Sequence, residues 1–382
     1  MMSRTRNQKN HGVALIIVLM VIALTTIIAT QMSGTLMFQQ QRNQNLESNQ
    51  QAYWYAMGAE ALAKSVLYQD FNESKNSTHL GQRWAIGETK FPVELGEISG
   101  EISDLQACLN LNALNNEQSP NNNNANSNPN NPNNNQSNSQ SNQNNQNSQS
   151  NNQNNQNNQV NNQNNGANSR GGKTNGELAK DALKELIISL EVEGIGSFEA
   201  ESMTDALVDW LDEDNSIVTA GGAEDDDYAS KEFPYLAANS KLASVNELRV
   251  IEHFTPRVIL ALKPYVCVLP DSDIHQININ TLDAENPKLL QALLGGIDES
   301  TAQDVLSDRP EDGFATLAAF STSPALAGVK NINQLKQQFV IDSDYFQLTT
   351  KTSFNGSYFT LNSTFIVKND ELLVINRSIG AH

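Results

Sequence analysis

The chain has 382 residues, with 43 acidic against 24 basic and a formal net charge of −19. Nucleic-acid binding depends on Lys and Arg neutralising phosphates, so this balance argues against it, whereas divalent cations suit it. Only 38% of the chain is hydrophobic, but one low-complexity tract dilutes that figure and the rest holds enough apolar material for cores.

The N-terminus opens with a short basic leader carrying Arg4, Arg6 and Lys9. The 17 residues from Val13 to Ala29 are free of charge. As helix they span about 26 Å, just short of a ~30 Å hydrocarbon core. The preceding cations should stay cytoplasmic and leave the body on the other side of the membrane. An ordinary secretory signal is cut after its apolar run, at a small-x-small site. Here the obvious small residue, Gly12, stands before the run, and "IIATQMSG" after it lacks an A-x-A pattern. The segment "NLESNQQAYWYAMGAEALAKSVLYQ" contains no proline and no turn cluster, so one helix is expected to reach about Tyr68. Trp54, Met57, Gly58 and Ala61 share one side of that helix and are expected to form a core face.

"KFPVELG" and "GEISGEISDL" alternate in part and read as strands, followed by "ACLNLNAL". Residues 115–172 are nearly all Asn, Gln and Ser, which cannot bury enough surface to offset their ordering entropy; they are expected to be a disordered insertion. Helical patterns then resume in "NGELAKDALKELIISLEVEGIGS" and "SFEAESMTDALVDWLDEDN", and again in "ASVNELRVI" and "TPRVILALKPYV". A second set follows in "DAENPKLLQALLGG", "DESTAQDVLSD" and "GFATLAAF", so the two sets read as a loose duplication of helix pairs. From "DYFQLTTKTS" to "ELLVINRS" the β alternation returns. Strands on both sides of a helical region read as an α+β domain interrupted by a helical one. The chain has two cysteines, Cys108 and Cys267. If the body is exported, one disulfide is the natural pairing; two unrelated buried thiols are the alternative.

Gly12 followed at once by an apolar helix, after a basic leader, resembles the class III signals of type IV pilins and pseudopilins. That resemblance implies cleavage by prepilin peptidase after Gly12, a methylated amine on Val13, and an apolar segment kept because it becomes filament core. The fifth mature residue is then Ile17, where most such subunits carry Glu. A buried carboxylate there would need a partner charge. Without one, this subunit suits the first position of a filament.

Ile17, "YWYAMGAEALAKSVL", "CLNLNAL", "DWLDED…GAEDDDY", "KLASVNELRVI" and "NINTL" together resemble the minor pseudopilin K family of type II secretion. The resemblance covers most of the chain except the Asn-rich tract. It implies a pilin-like α+β fold, in which a long N-terminal helix packs on a small antiparallel sheet. Inserted in it is a large all-helical domain of two helix-hairpin-helix, SAM-like subdomains. The expected divisions are a leader at 1–12, a transmembrane segment at 13–30, pilin-like parts at 31–114 and 341–382, and the helical domain at 173–340. It further implies a place at the pseudopilus tip with I-type and J-type minor pseudopilins, an inner-membrane anchor and a periplasmic body. A type IV minor pilin and a membrane-anchored periplasmic enzyme are the alternatives, and Ile17 weighs against the first.

"DWLDEDNSIVTAGGAEDDDY" holds eight carboxylates: Asp209, Asp212, Glu213, Asp214, Glu224, Asp225, Asp226 and Asp227. Ca²⁺ takes six to eight hard oxygens, and Asp212 and Asp214 are spaced like the first two EF-hand ligands. The remainder fails that template, because Ile217 occupies the glycine position and Glu224 falls one residue late. The resemblance implies calcium here, with Asp212, Asp214, Glu224, Asp225 and Asp227 as expected ligands; a solvated acidic run is the alternative. "EGIGS" at 193–197 resembles a helix-hairpin-helix turn, but its acidic surroundings point to structural reuse rather than DNA contact. No H-E-x-x-H, G-x-S-x-G or Walker pattern occurs, and the expectation is a structural assembly protein without a catalytic site.

Overall fold

A computed structural model describes residues 11–116, 173–369 and 371–380, with the side chains of residues 11 and 12 left out. The leader up to residue 10, and residues 117–172 of the Asn/Gln/Ser tract, lie outside the described residues.

The first element is α1 (His11–Glu73), a single helix of 63 residues, about 95 Å long. It runs one turn beyond the expected end at Tyr68. A hairpin follows, β1 (Thr89–Val93) and β2 (Gly96–Asp104), then the short strand β3 (Leu109–Asn110). The helical region comprises α2 (Asn175–Ser189), α3 (Ser197–Leu211), α4 (Asp225–Ala229), α5 (Pro256–Leu262) and, after β4 (Val266–Cys267) and β5 (Ile277–Asn278), α6 (Lys288–Leu293). It continues through α7 (Glu299–Ser307), α8 (Leu317–Ser321) and α9 (Ile332–Leu335) to β6 (Phe339–Val340). The chain ends in β7 (Tyr345–Phe354), β8 (Ser357–Lys368) and β9 (Glu371–Ile379).

The main sheet has the order β1-β2-β7-β8-β9, antiparallel throughout. Its central pair, β2 and β7, is separated in sequence by the whole helical region, and register Gly96↔Phe354 to Asp104↔Phe346 joins the two. The expected α+β fold, a long helix on an antiparallel sheet with a helical domain inserted, is therefore present. "ASVNELRVI" forms a short 3₁₀ helix at Val245–Arg249 rather than an α-helix, capped by Ser244 Oγ, which accepts from Asn246 N.

The face of α1 that meets the sheet differs from the expected one. Ala52, Ala56, Glu60, Ala63, Leu67 and Asp70 are buried, at the spacing of three and four that marks one helix face. Trp54, Gly58 and Ala61 are exposed and Met57 is half-buried. The alanines explain the choice. They let the helix lie close on the sheet, close enough for Thr352 Oγ1 to donate to the Ala52 carbonyl at 2.9 Å. Trp54 could not fit there. Toward the end of the helix, Leu67 and Phe71 pack with Trp84, Phe346 and Phe365.

The helical domain has its own larger core, which begins earlier in the chain than expected. Leu109, Leu111, Ala113 and Leu114 pack among Leu183, Leu186 and Leu207, so "CLNLNAL" belongs to the helical body and not to the pilin-like part ending at 114. The reason is local: β3 pairs in parallel with β4, which carries this stretch away from the main sheet. The Asn116 carbonyl then accepts from Gly176 N, joining the two described ends that flank the tract.

A polar seam joins the two bodies, and a disulfide of the helical body lies beside it. Cys108 and Cys267 form a disulfide with a Cα–Cα distance of 5.8 Å. Nearby, buried Asp104 accepts from Ser343 Oγ and Thr281 Oγ1, both at 2.6 Å, and from Gln106 N at 2.7 Å. Asn278 Nδ2 donates to the Thr78 carbonyl, five residues past the end of α1.

Candidate functional site

The acidic loop is built on the C-terminal end of α3. Asp209 lies in the last turn of α3 and Asp212 is its C-cap, where the backbone turns extended, and no basic residue lies in the last turn. Carboxylates at a helix C-terminus face the negative end of its dipole, an unfavourable placement unless a cation is near. The chain then loops out and returns through Gly221 and Gly222 against the same helix. A Cβ on Gly222 would sit 1.9 Å from Asp209 Oδ2, and one on Gly221 would sit 2.9 Å from Ser202 Cα. Only glycine lets the loop approach this closely.

This return brings Glu224 beside Asp212 and Asp214; one oxygen of each lies within 4.8 Å of the others. Among the described residues, Asp209 Oδ2, Asp212 Oδ1 and both carboxylate oxygens of Glu224 are buried without a hydrogen-bond partner. Burial first, and then the neighbouring Asp209 and Asp212 charges, push Glu224 up to about 7. Burial likewise pushes Asp209 up to about 6 and Asp212 above its ordinary range. Three carboxylates that meet this closely, two of them with buried oxygens that lack a hydrogen-bond partner, are residues that could hold a hard divalent cation such as Ca²⁺.

Two expected ligands stand outside that group. Asp225 accepts from Ala237 N at 3.0 Å and Asn215 Nδ2 at 2.9 Å, and Asp227 accepts from Glu224 N at 3.1 Å. They close the loop around the cluster. Conversely, Asp209 and Gly222 were not in the expected set. Asp209's spacing to Asp212, and a Gly-Gly pair inside an acidic run, were the signals for them. Flanking the loop, Trp210 meets Tyr228 and Tyr235 edge-on, and the two tyrosine rings lie tilted at 31° to each other.

At the other end of the molecule, α1 begins with an 18-residue window of mean hydropathy 2.9, none of it buried, long and apolar enough to cross a membrane. Val13 and Ile17 lie in it, exposed, and no carboxylate occurs between Val13 and Leu46. "EGIGS" forms the tight turn between α2 and α3, with Gly194 at φ +82°, a conformation that favours glycine. Gly295 and Gly296 make the corresponding turn between α6 and α7, at φ +78° and +73°.

Two family models, both described as type II secretion system (T2SS), protein K, match residues 107–271 and 277–342. Type II secretion system protein K of Dickeya chrysanthemi is 36% identical over 98% of this chain and 98% of its own. The chain belongs to the type II secretion system protein K family. The protein of the same name from Aeromonas hydrophila is 32% identical, again over 98% of both chains. The fold is shared with a solved GspK-GspI-GspJ complex of the type 2 secretion system from enterotoxigenic Escherichia coli. The TM-score is 0.68 and the identity 30%, with 89% of this chain and 100% of that one covered. As a protein K, the chain is a minor pseudopilin of type II secretion, and its apolar N-terminal helix fits a single-pass membrane anchor.

Proposed function

We propose that this protein K caps the tip of the pseudopilus and helps initiate the filament that drives folded proteins across the outer membrane. Prepilin peptidase cuts after Gly12, and Val13 carries the methylated amine. α1 holds the subunit in the inner membrane, with its body in the periplasm, until it joins I-type and J-type minor pseudopilins. The role is structural and uses no catalytic residue.

The observation that carries this reading is where the helical domain attaches. It meets the pilin-like body through Thr78 and Asp104, just past the end of α1 that lies farthest from the apolar segment. A body there obstructs any subunit stacking beyond it. Ile17 supports the same place, since a subunit at the very tip has no neighbour above to engage with a carboxylate. The GspK-GspI-GspJ complex supports the choice of partners.

The cation we propose for the acidic loop is Ca²⁺. Asp212, Asp214 and Glu224 would hold it, with Asp209 behind them, while Asp225 and Asp227 fasten the surrounding loop. It would supply positive charge to carboxylates that otherwise repel one another. N-terminal sequencing of membrane-extracted protein, with and without prepilin peptidase, tests the assembly reading. A start at Val13 only when the peptidase is present supports it. A start at Met1, or one beyond Ala29, removes the filament role.

A further inference from the structure

Phe346, Leu348 and Phe365 of the main sheet pack toward α1, so the residues that alternate with them point the other way. On that outer face, where the sheet meets the helical domain, a cleft of about 430 Å³ opens. Its floor is a row of three side chains in register across neighbouring strands, Gln347 on β7, Thr364 on β8 and Asn376 on β9. The opposite wall comes from the helical domain, with Val266, Val268 and Pro270 on one part and Asn246 and Lys263 on another.

The lining is unlike the rest of the chain. There are 43 acidic residues in the sequence, yet none lines this cleft, and among the described residues that do, Lys263 is the one that carries charge. Gln347, Thr364 and Asn376 can each donate and accept. None of the three spends its side chain on a hydrogen bond with another described residue. The next row along the strands differs: Thr349 Oγ1 donates to Asn362 Oδ1 at 2.9 Å, and Asn362 Nδ2 donates to the Gly380 carbonyl at 3.0 Å. Only the row inside the cleft is left unpaired. The wall adds Asn246 Oδ1, buried without a partner. An acceptor in that position costs free energy until a donor meets it.

These groups select a kind of ligand. One lysine cannot hold a polyanion such as nucleic acid. A floor of amides and a hydroxyl rejects an acyl chain, which would leave them buried and unpaired. An extended peptide binds a sheet by joining its edge, but β7 and β8 are paired on both sides, so the floor offers side chains and no free backbone. What remains is a neutral molecule dense in hydroxyls, with C–H faces for the valines and the proline. The volume is that of a small-ligand site, with few polar groups set among apolar ones.

We infer that this cleft binds a neutral oligosaccharide. Gln347, Thr364 and Asn376 read its hydroxyls from the floor, Asn246 Oδ1 accepts from one more, and Val266 and Val268 cover a ring face. This site is separate from the acidic loop and from the tip role proposed above.

The test is saturation-transfer NMR on the full-length chain in a detergent without a sugar headgroup. The probes are maltotriose and the trimer of N-acetylglucosamine, and a neutral Asn/Gln/Ser peptide is the comparison. Wild type should transfer saturation to at least one trisaccharide, with a Kd on the order of 1 mM. Asn376→Trp fills the cleft from an exposed position on β9 and should weaken binding at least tenfold at unchanged Tm. Lys351→Ala, on the same sheet face but outside the cleft, should bind as wild type does. Should Asn376→Trp lower Tm, Gln347→Ala takes its place, with a loss of about threefold or more for the missing amide. No transfer from wild type to either sugar, undiminished binding by the folded cleft variant, or tighter binding of the peptide than of both sugars overturns the inference.

Discussion

Asp209, Asp212, Asp214 and Glu224 show how strongly single carboxylates are constrained once the chain folds. Three of them carry buried oxygens with no donor. A ligand that binds only the folded state stabilises it by about 2.7 kcal/mol at a hundredfold excess over Kd. Calcium at that level should therefore raise the stability of the wild-type chain by roughly this amount, measured by urea unfolding against a chelator control. Glu224→Gln removes one repelling charge and one ligand. It should be at least as stable as wild type in chelator and show almost no calcium response; an undiminished response would take Glu224 out of the site. Asp104 presents the opposite solution, a buried carboxylate satisfied by protein donors alone. Burial still pushes it up to about 6, from 3.8 in the unfolded chain. The folded state thus binds this proton more tightly than the unfolded one. The resulting stability is fully present below about pH 3.8 and is lost as pH rises through about 6. The difference is on the order of 3 kcal/mol. In Asp104→Asn, stability measured from pH 4 to pH 8 in chelator should vary less than in wild type, and superimposable profiles would contradict the role given to this group.

At the scale of elements, the question is what fixes α1 on the sheet at one register. An alanine-lined face alone permits sliding. Glu60 sets the position: Arg377 of β9 donates to it through Nε and Nη2, each at 2.7 Å, and Ser363 Oγ of β8 donates at 2.6 Å. The arginine first, and then the serine, hold the Glu60 carboxyl below its usual range despite burial. Because Arg377 is about half exposed, the pair is worth less than a fully buried one. Glu60→Ala should cost about 1–3 kcal/mol, and a double-mutant cycle with Arg377→Ala should return a coupling energy near 1 kcal/mol or above. A coupling of zero would mean that packing alone positions the helix. The same element explains the misplaced core face. Hydrophobicity on α1 marks two apolar stripes, and only the fold tells which one the chain keeps for itself.

For the whole molecule, the seam between the two bodies decides whether they behave as one. Beside that seam, a disulfide joins residues 159 apart in sequence, Cys108 just before β3 and Cys267 in β4. Closing so long a loop is worth about 5 kcal/mol in the chain-entropy model, with measured values usually lower. Replacing both cysteines by alanine should lower stability by about 3–5 kcal/mol and make unfolding insensitive to reductant, as followed by circular dichroism. A loss confined to the helical domain, with the sheet unaffected, would show that the two bodies unfold separately.

Much of the protein was legible in its residues. Periodicity marked the long helix, the strands on either side of the helical region and the helix pairs within it, because spacing of apolar residues is a local property. The leader and Ile17 pointed to a filament subunit, and the acidic run to a cation. Three matters waited for the tertiary structure. The sheet's central pairing of β2 with β7 spans some 250 residues of chain, so no local pattern encodes it. The placement of "CLNLNAL" in the helical core followed from its pairing with β4. The composition of the carboxylate cluster depended on a Gly-Gly return past Asp209 that brings Glu224 to Asp212 and Asp214 and leaves Asp225 and Asp227 to backbone and side-chain donors. Sequence specifies which side chains are available; which oxygens meet is set by the path of the chain between them.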